Sequence, residues 1–421
     1  MFKPRVAIID SNYSDRKFIG LAATWLKWEI QRAEIKECNP LTADYLLCTV
    51  SSQQGFLDLK RELKKHWNGK STIILGGGGC WAPAVFENIA DYLCVGEGQR
   101  FIRAFLSGGV DAIRNLPETW IKRERREVIP SDCFPWDCPP LNHPDGTVRV
   151  WGARGCRNKC LFCQTGWEQK YNPNKNTAIV QRQVDDLIRA GRRVAMITND
   201  GADEAVIIRG QQEFLSVTYK KLKNIEITRK IAKSIRIGVE GVSERLRQAI
   251  GKPVDNDGLL KITKNALSKG VGVRWFFIAG LPLEQSSDWS EIKYLVKGLH
   301  GINKGVVMMN FHAYIPQPAT PLCVFPLLDN YWEWFNDFRT WFFSGPGFTR
   351  HVQIVSPAQY LGRMRRAKES MAATEEEIRR GWFEHDNANW RVKTLLTNKN
   401  KRNAALVYKK RLSNNQTMGE K

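Results

Sequence analysis

The chain lacks any uninterrupted apolar run of about 18 residues, so no ordinary membrane-spanning helix is expected and no membrane partner follows. Its first residues, MFKPRVAIIDSNYS, lack the layout of a signal peptide, because a strand-like run follows Pro4 at once. A cytoplasmic protein is the expectation. There is no internal repeat, which excludes a solenoid or a propeller. Acidic residues are short in supply: 43 against 64 lysines and arginines, for a formal net charge of +21. An imbalance of that size predicts attraction to a polyanion, and nucleic acid is the commonest one in the cytoplasm. The alternative is a set of merely solvated basic faces.

What is present suits a folded, multi-domain chain. Hydrophobic residues make up 43% of 421 positions, enough to fill two or three cores at roughly 100–200 residues per domain. The 15 tryptophans fill cores for the most part, with base stacking as the other use. In a reducing compartment the ten cysteines are thiols, so close spacing points to metal rather than to disulfides.

Residues 1–110 alternate strand-like and helix-like pieces. RVAIID (5–10), YLLCTV (45–50), TIIL (72–75) and DYLCV (91–95) read as strands, and 17–32 and 56–67 as amphipathic helices. Glycines at the strand ends, Gly76–Gly79 and Gly96–Gly98, allow backbone to approach a ligand at the edge where open parallel sheets bind one. A Rossmann-like domain is predicted. Residues 111–149 are rich in proline around IPSDCFPWDCPPLNHP and read as a linker or strap. Residues 150–325 alternate again: RVAMIT (193–198), SIRIGVE (234–240), VRWFFIA (273–279) and VVMMNFHAY (306–314) as strands, with helices between. This is a βα-repeat suited to a full or partial (β/α)6 barrel, with catalytic groups at the C-terminal strand ends. Residues 326–421 form a basic, aromatic-rich, mainly helical region with a tail of disorder-prone composition. The fold class is therefore α/β.

The most specific signal is Gly155-Cys156-Arg-Asn-Lys-Cys160-Leu-Phe-Cys163, directly after a strand-like segment. Three thiolates on one short loop can converge on a single iron–sulfur cluster. Three ligands for four irons leave one iron open to chelate the amino and carboxylate groups of S-adenosylmethionine. Electron transfer to the sulfonium then yields a 5′-deoxyadenosyl radical. A structural zinc site prefers four protein ligands. No fourth cysteine or histidine follows Cys163 closely, and His143 precedes the loop at no usual zinc spacing.

On these residues the segment 150–325 resembles the radical S-adenosylmethionine superfamily. Phe162 matches the aromatic residue that the family places near adenine. Asn199 and Asp200 fall after the second strand, where the family has a Gly-Gly-Glu-like element for the methionyl amine; here the match is poor. IGVEG (237–241) with SER (243–245) and IGK (250–252), then IAGLPLE (278–284), then FHAYIPQPATP (311–321), resemble elements of the cobalamin-binding branch and, second, of methylthiotransferases. The resemblance implies a [4Fe–4S] cluster on Cys156, Cys160 and Cys163. It implies cofactor contacts at Phe162, Asn199, Asp200, Glu240, Gly280, Glu284 and Tyr314, with ordinary strand-end solvation the alternative for the two glutamates. It also implies a reducing partner such as flavodoxin or ferredoxin. Arg236 and Arg274 sit on strands, where they could meet carboxylates, pack, or face the surface.

Gly77, Gly78 and Gly96 match the glycines of the cobalamin-binding domain that often precedes such a barrel. The loop Asp10–Asp15 lacks the histidine of the usual Asp-x-His-x-x-Gly element, so cobalamin would bind without it or the domain is a remnant. A second cluster of the methylthiotransferase type would need Cys48, Cys80 and a third cysteine, with Cys38 the substitute. Cys323, after the last barrel strand, could donate a hydrogen atom or carry a methyl group, or simply fill space as a small apolar residue.

The barrel elements imply radical chemistry and leave the substrate open. With the basic balance, the expected substrate is a base in nucleic acid, with Arg363, Arg365, Arg366, Lys409, Lys410 and Arg411 holding phosphates. The alternatives are a peptide or small metabolite, or a non-catalytic iron–sulfur protein that binds nucleic acid.

Overall fold

The structure is a computed structural model. It describes residues 4–11, 21–51, 55–122 (apart from 82 and 87), 124, 128–131, 134, 136–143, 145–197, 210, 212–223, 227–302, 304–317, 320–325, 328, 331–345 and 352–354. They divide into two compact units, one formed mainly by residues up to Arg149 and the other mainly by residues from Val150 onward.

The first unit is built on β1 (Val6–Asp10), α1 (Leu21–Arg32), β2 (Tyr45–Thr49), α2 (Phe56–His66), β3 (Thr72–Gly76), β4 (Tyr92–Cys94), α3 (Gln99–Arg114) and β5 (Thr119–Ile121). The strands form one sheet in the order β1-β2-β3-β4-β5, parallel except for the last pair. The apolar runs of β1, β2 and β3 are buried on both faces, as parallel strands covered on both sides require. Ala7, Leu46, Ile73 and Leu93 meet Phe56, Leu59 and Leu63 of α2 in one core. Part of the segment read as a strap has a structural use, since β5 adds an antiparallel edge by pairing Thr119–Ile121 with Tyr92–Cys94. A hairpin follows, β6 (Leu141–Asn142) with β7 (Thr147–Trp151), in which Leu141 opposes Arg149.

The second unit continues with β8 (Ala153–Arg154), α4 (Gln164–Glu168), β9 (Asn172–Pro173), α5 (Thr177–Arg189) and β10 (Arg193–Ile197). Val150, Val180, Val184, Val194 and Met196 pack as a small core there. Then come β11 (Leu215–Val217), α6 (Tyr219–Leu222), β12 (Ser234–Glu240), α7 (Glu244–Ala249), α8 (Asn256–Ser268), β13 (Gly272–Ala279), α9 (Trp289–Gly298), β14 (Val307–Ala313), α10 (Tyr331–Phe343) and β15 (Val352–Ile354). The last five strands form one parallel sheet in chain order. Each βα crossover lays its helix on the same face. Ile235, Ile237 and Val239 of β12, Trp275 and Phe277 of β13, and Met309 and Phe311 of β14 meet α8, α9 and α10 there. The aromatic α10 belongs to this core through Phe335, Phe338 and Phe342, and β15 extends the sheet, so the second unit runs past residue 325. Among the described residues β10 and β11 belong to separate sheets, and no continuous six-stranded barrel wall is seen.

Candidate functional site

The cysteine loop leaves β8 at Gly155, whose φ of +67° is a left-handed conformation that a side chain would strain. Turning there lets Cys156 reverse onto its own loop: the Asn158 backbone N–H lies 3.3 Å from Cys156 Sγ. Cys163 N–H donates to Cys160 O at 3.2 Å, closing the tight turn between the second and third thiols. Leu161, between them, is pinned on both sides. Its N–H donates to Ile250 O at 3.0 Å, and its carbonyl accepts from Leu322 N–H at 3.1 Å. The Trp167 indole N–H donates to Cys160 O at 3.0 Å. Gly166 must be glycine, because a Cβ there would sit 1.9 Å from Asn158 O.

Cys160 is buried and Cys156 and Cys163 are half-buried. Burial pushes the Cys160 thiol up to about 12, with Lys252 pulling the other way. A thiol so placed yields its proton to a metal rather than to solvent. Among the described residues, no three Cys, His, Asp or Glu side chains are gathered closely enough to hold one metal ion. Ligands of a single tetrahedral zinc lie roughly 3.8 Å apart, given Zn–S of about 2.3 Å. A multi-iron cluster takes each sulfur on a different iron and so spreads its ligands wider. Three thiols on one loop, with no fourth protein ligand beside them in sequence, are a donor set that suits a cluster with one open iron.

Next to the loop, β12 ends in a register shift between Gly238 and Glu240. Glu240 carries a φ of +70°, rare for a residue with a side chain. The shift aims its carboxylate at Lys252, whose Nζ donates to Glu240 Oε1 at 2.7 Å. Burial opposes the charge on Lys252, but Glu240 and the thiols of Cys160 and Cys163 raise its pKa overall. Lys252 is the residue that sequence reasoning passed over: IGK was read as a motif, and the fold brings its ammonium onto Glu240 beside the cysteine loop.

The other expected contacts lie in the turns and core around β13 and β14. Glu284 is buried and accepts from Gly280 N–H at 3.0 Å, Leu281 N–H at 3.2 Å and the Trp289 indole at 3.0 Å. It thereby caps the turn after β13, and burial pushes its carboxyl up to about 8 despite those three donors. Gly280 turns the chain at φ +79° against the Tyr331 ring, leaving no room for a Cβ. Tyr314 is buried, with its hydroxyl donating to Leu322 O at 2.6 Å. Phe162 packs on the core of this unit, and Cys323 is fully buried in the turn at Pro321–Val324. Asn199 and Asp200 lie outside the described residues, as do Arg363, Arg365, Arg366, Lys409, Lys410 and Arg411.

In the first unit the glycines mainly let backbone meet backbone. A Cβ on Gly77 would lie 2.3 Å from Val50 O, on Gly78 2.5 Å from Ser51 O, and on Gly96 2.4 Å from Ser131 O. At the same strand ends, Ser11 Oγ, Gln99 Oε1 and Ser131 Oγ are buried with no hydrogen-bond partner among the described residues. Orphaned buried polar atoms at a sheet's carboxyl edge suit a polar ligand. Cys48 and Cys80 are fully buried and burial raises both pKa values, while Cys38 is half-buried. No gathered trio among the described residues includes them.

The fold has counterparts among solved structures. OxsB, a cobalamin-dependent S-adenosylmethionine radical enzyme solved with aqua-cobalamin bound, superposes with a TM-score of 0.53 and 16% identity over 70% of this chain. The radical S-adenosylmethionine methyltransferase TsrM from Kitasatospora setae, solved with cobalamin and a [4Fe–4S] cluster, superposes at 0.57 with 11% identity over 77% of each chain. The chain has the fold of the cobalamin-dependent radical S-adenosylmethionine enzymes. Within that fold it spans only about half of OxsB, 52% of its length. TsrM with tryptophan and a S-adenosylmethionine analogue bound superposes at 0.55 with 12% identity. No protein-family model and no curated protein matches the sequence.

Proposed function

We propose that the protein is a radical S-adenosylmethionine enzyme that holds a [4Fe–4S] cluster on Cys156, Cys160 and Cys163. The observation that carries this reading is the loop itself: three thiols within eight residues, the middle one buried, on a backbone pinned to Ile250 and Leu322. The cluster, when bound, supplies the electron that splits the sulfonium of S-adenosylmethionine. The chain's own residues set the conditions. Gly155 and Gly166 permit the loop's path, Trp167 holds the Cys160 carbonyl, and Lys252 balances thiolate charge while Glu240 fixes Lys252. A reducing partner such as flavodoxin or ferredoxin is part of the proposal.

The first unit is proposed to hold cobalamin at the carboxyl edge of its sheet, near Ser11, Gln99 and Ser131. The support is the three orphaned polar atoms and the neighbours solved with cobalamin. No histidine occurs in the first 65 residues, and His66, at the far end of α2, pairs with Glu62. Cobalt bound there would have no imidazole from these strands.

The proposed substrate is a base in nucleic acid, supported by the net charge of +21. A small metabolite is the second reading, favoured by the TsrM structure with tryptophan as substrate. Anaerobic reconstitution followed by measurement of 5′-deoxyadenosine release tests the activity. Serine at any of the three cysteine positions is expected to abolish both iron uptake and release. Full release from such a variant would overturn the assignment. Stimulation of release by an oligonucleotide, and not by free amino acids, is the outcome expected for the substrate.

A further inference from the structure

In the first unit, the end of α2 and the turn into β3 take no part in the site described above. Between Asp58 and Lys70 the chain carries five lysines and arginines against two carboxylates. Both carboxylates are answered locally. Asp58 accepts from Arg61 at 3.0 Å, and the buried Glu62 accepts from Lys65 at 3.2 Å with His66 at 3.5 Å. Lys64 and Lys70 are exposed, and neither has a carboxylate partner among the described residues. The helix dipole accounts for cations in the last turn of α2, Lys64, Lys65 and His66. It does not account for Lys70, which lies beyond the helix, or for the residue between Lys64 and Lys70.

That residue is Trp67, 45% exposed. Its backbone N–H donates to Leu63 O at 2.8 Å, and its indole N–H donates to Ser71 O at 2.9 Å. Asn68 fixes the turn that follows: its side-chain amide donates to Leu41 O at 3.1 Å, and its carbonyl oxygen accepts from the backbone N–H groups of Lys70 and Ser71, each at 2.8 Å. With its one donor engaged by the backbone, the indole offers a ligand only its ring, and the ring is already in place. Because α2 connects two parallel strands, it runs from the carboxyl edge of the sheet to the amino edge. Trp67 and Lys70 therefore stand at the opposite end of the strands from the orphaned polar atoms of Ser11, Gln99 and Ser131.

We propose that this end of the first unit is a binding surface for single-stranded nucleic acid, with one base stacked on Trp67 and the flanking phosphates on Lys64 and Lys70. An aromatic ring accepts any base through its π-face, and lysines beside it track the backbone. A single strand fits and a duplex does not, because a duplex keeps its bases stacked on one another. A ring fixed before binding loses little freedom when a base settles on it. The inference deepens the proposed function, since it rests on nucleic acid as the class of substrate.

Fluorescence anisotropy of a labelled oligothymidylate, titrated with the full chain at several salt concentrations, tests it. Trp67→Ala is expected to weaken binding roughly five- to a hundred-fold, the range for one base stacked on a ring. Trp67→Phe is expected to keep most of the affinity. Lys64→Gln combined with Lys70→Gln is expected to lower the slope of log affinity against log salt by about 1.4, as two phosphate contacts on a single strand require. No binding by the unaltered chain, an unchanged slope in the double lysine variant, or tighter binding to phosphatidylglycerol vesicles than to the oligonucleotide overturns the proposal. If Trp67→Ala fails to fold, judged by its thermal midpoint, the double lysine variant decides through its slope. Oligonucleotide binding that these variants leave untouched removes this surface and leaves the substrate reading standing. Binding that they weaken, without any stimulation of 5′-deoxyadenosine release, removes that reading and leaves the surface.

Discussion

A single carboxyl group illustrates how the site is held from behind. Glu284 collects two backbone N–H groups and an indole N–H in a buried turn, and its protonation is tied to folding. Its folded pKa, raised by burial to about 8 from the ordinary glutamate value of about 4.5, means that the folded state binds more protons than the unfolded state between those values. Stability contributed by the protonated form is full below the lower value and is lost as pH rises toward about 8. Urea midpoints should therefore fall between about pH 5 and about pH 8, and Glu284→Gln should flatten that difference. An unchanged slope in the variant would show that other groups govern it. Arg247 offers a second residue-scale case. It is fully buried and bonded to Asn256 and, at 3.3 Å, to Glu291. Arg247→Met removes the ion pair and the hydrogen bond to Asn256 Oδ1, while Glu291 keeps its bonds from Glu244 N–H and Asn256 Nδ2, so a loss of about 1–3 kcal/mol in unfolding free energy is expected.

Among elements, the cysteine loop depends on packing that no single thiol supplies. Its path is set by α4, by the turn after α7 at Ile250 and by the turn at Leu322. Gly166→Ala places a methyl group 1.9 Å from the Asn158 carbonyl, an overlap that only backbone movement can relieve. The expected result is a reconstituted protein with less than half the iron of the unaltered chain and a clear loss of thermal stability. Retention of full iron would mean that the loop tolerates a new path. The element boundaries were readable to within one or two residues wherever pattern and punctuation agreed. SIRIGVE is β12 as expected, and the aromatic segment 331–343 is α10. The Pro-rich strap was misread in part, because β5 is a three-residue edge strand whose pairing partner lies far back in sequence.

For the whole molecule, the imbalance of 64 basic against 43 acidic residues is the property that composition alone makes testable. Oligonucleotide affinity should fall steeply with salt, with log affinity linear in log salt concentration and a slope reporting the phosphates neutralised. A flat dependence would remove nucleic acid from consideration. Many of the cations lie on ordinary ion-paired surfaces, such as Arg5 with Asp44 and Arg114 with Glu124, and add little to stability. Among the described residues no helix is long and apolar enough to cross a membrane, in keeping with the absence of long apolar runs.

Local chemistry was legible in the order of residues: three thiols at CxxxCxxC spacing, strands as apolar runs, turns as glycines. Those properties depend on neighbours within a dozen positions, and the chain states them directly. Long-range juxtaposition was decided by folding. Glu284 stands in a turn motif in the sequence, and only the fold shows it buried with three donors on its carboxylate. Lys252 meets Glu240 only because a register shift turns a left-handed residue toward it. Arg236 and Arg274 become register partners only when β12 and β13 align, since strand register is set by side chains packed on the far face of the sheet.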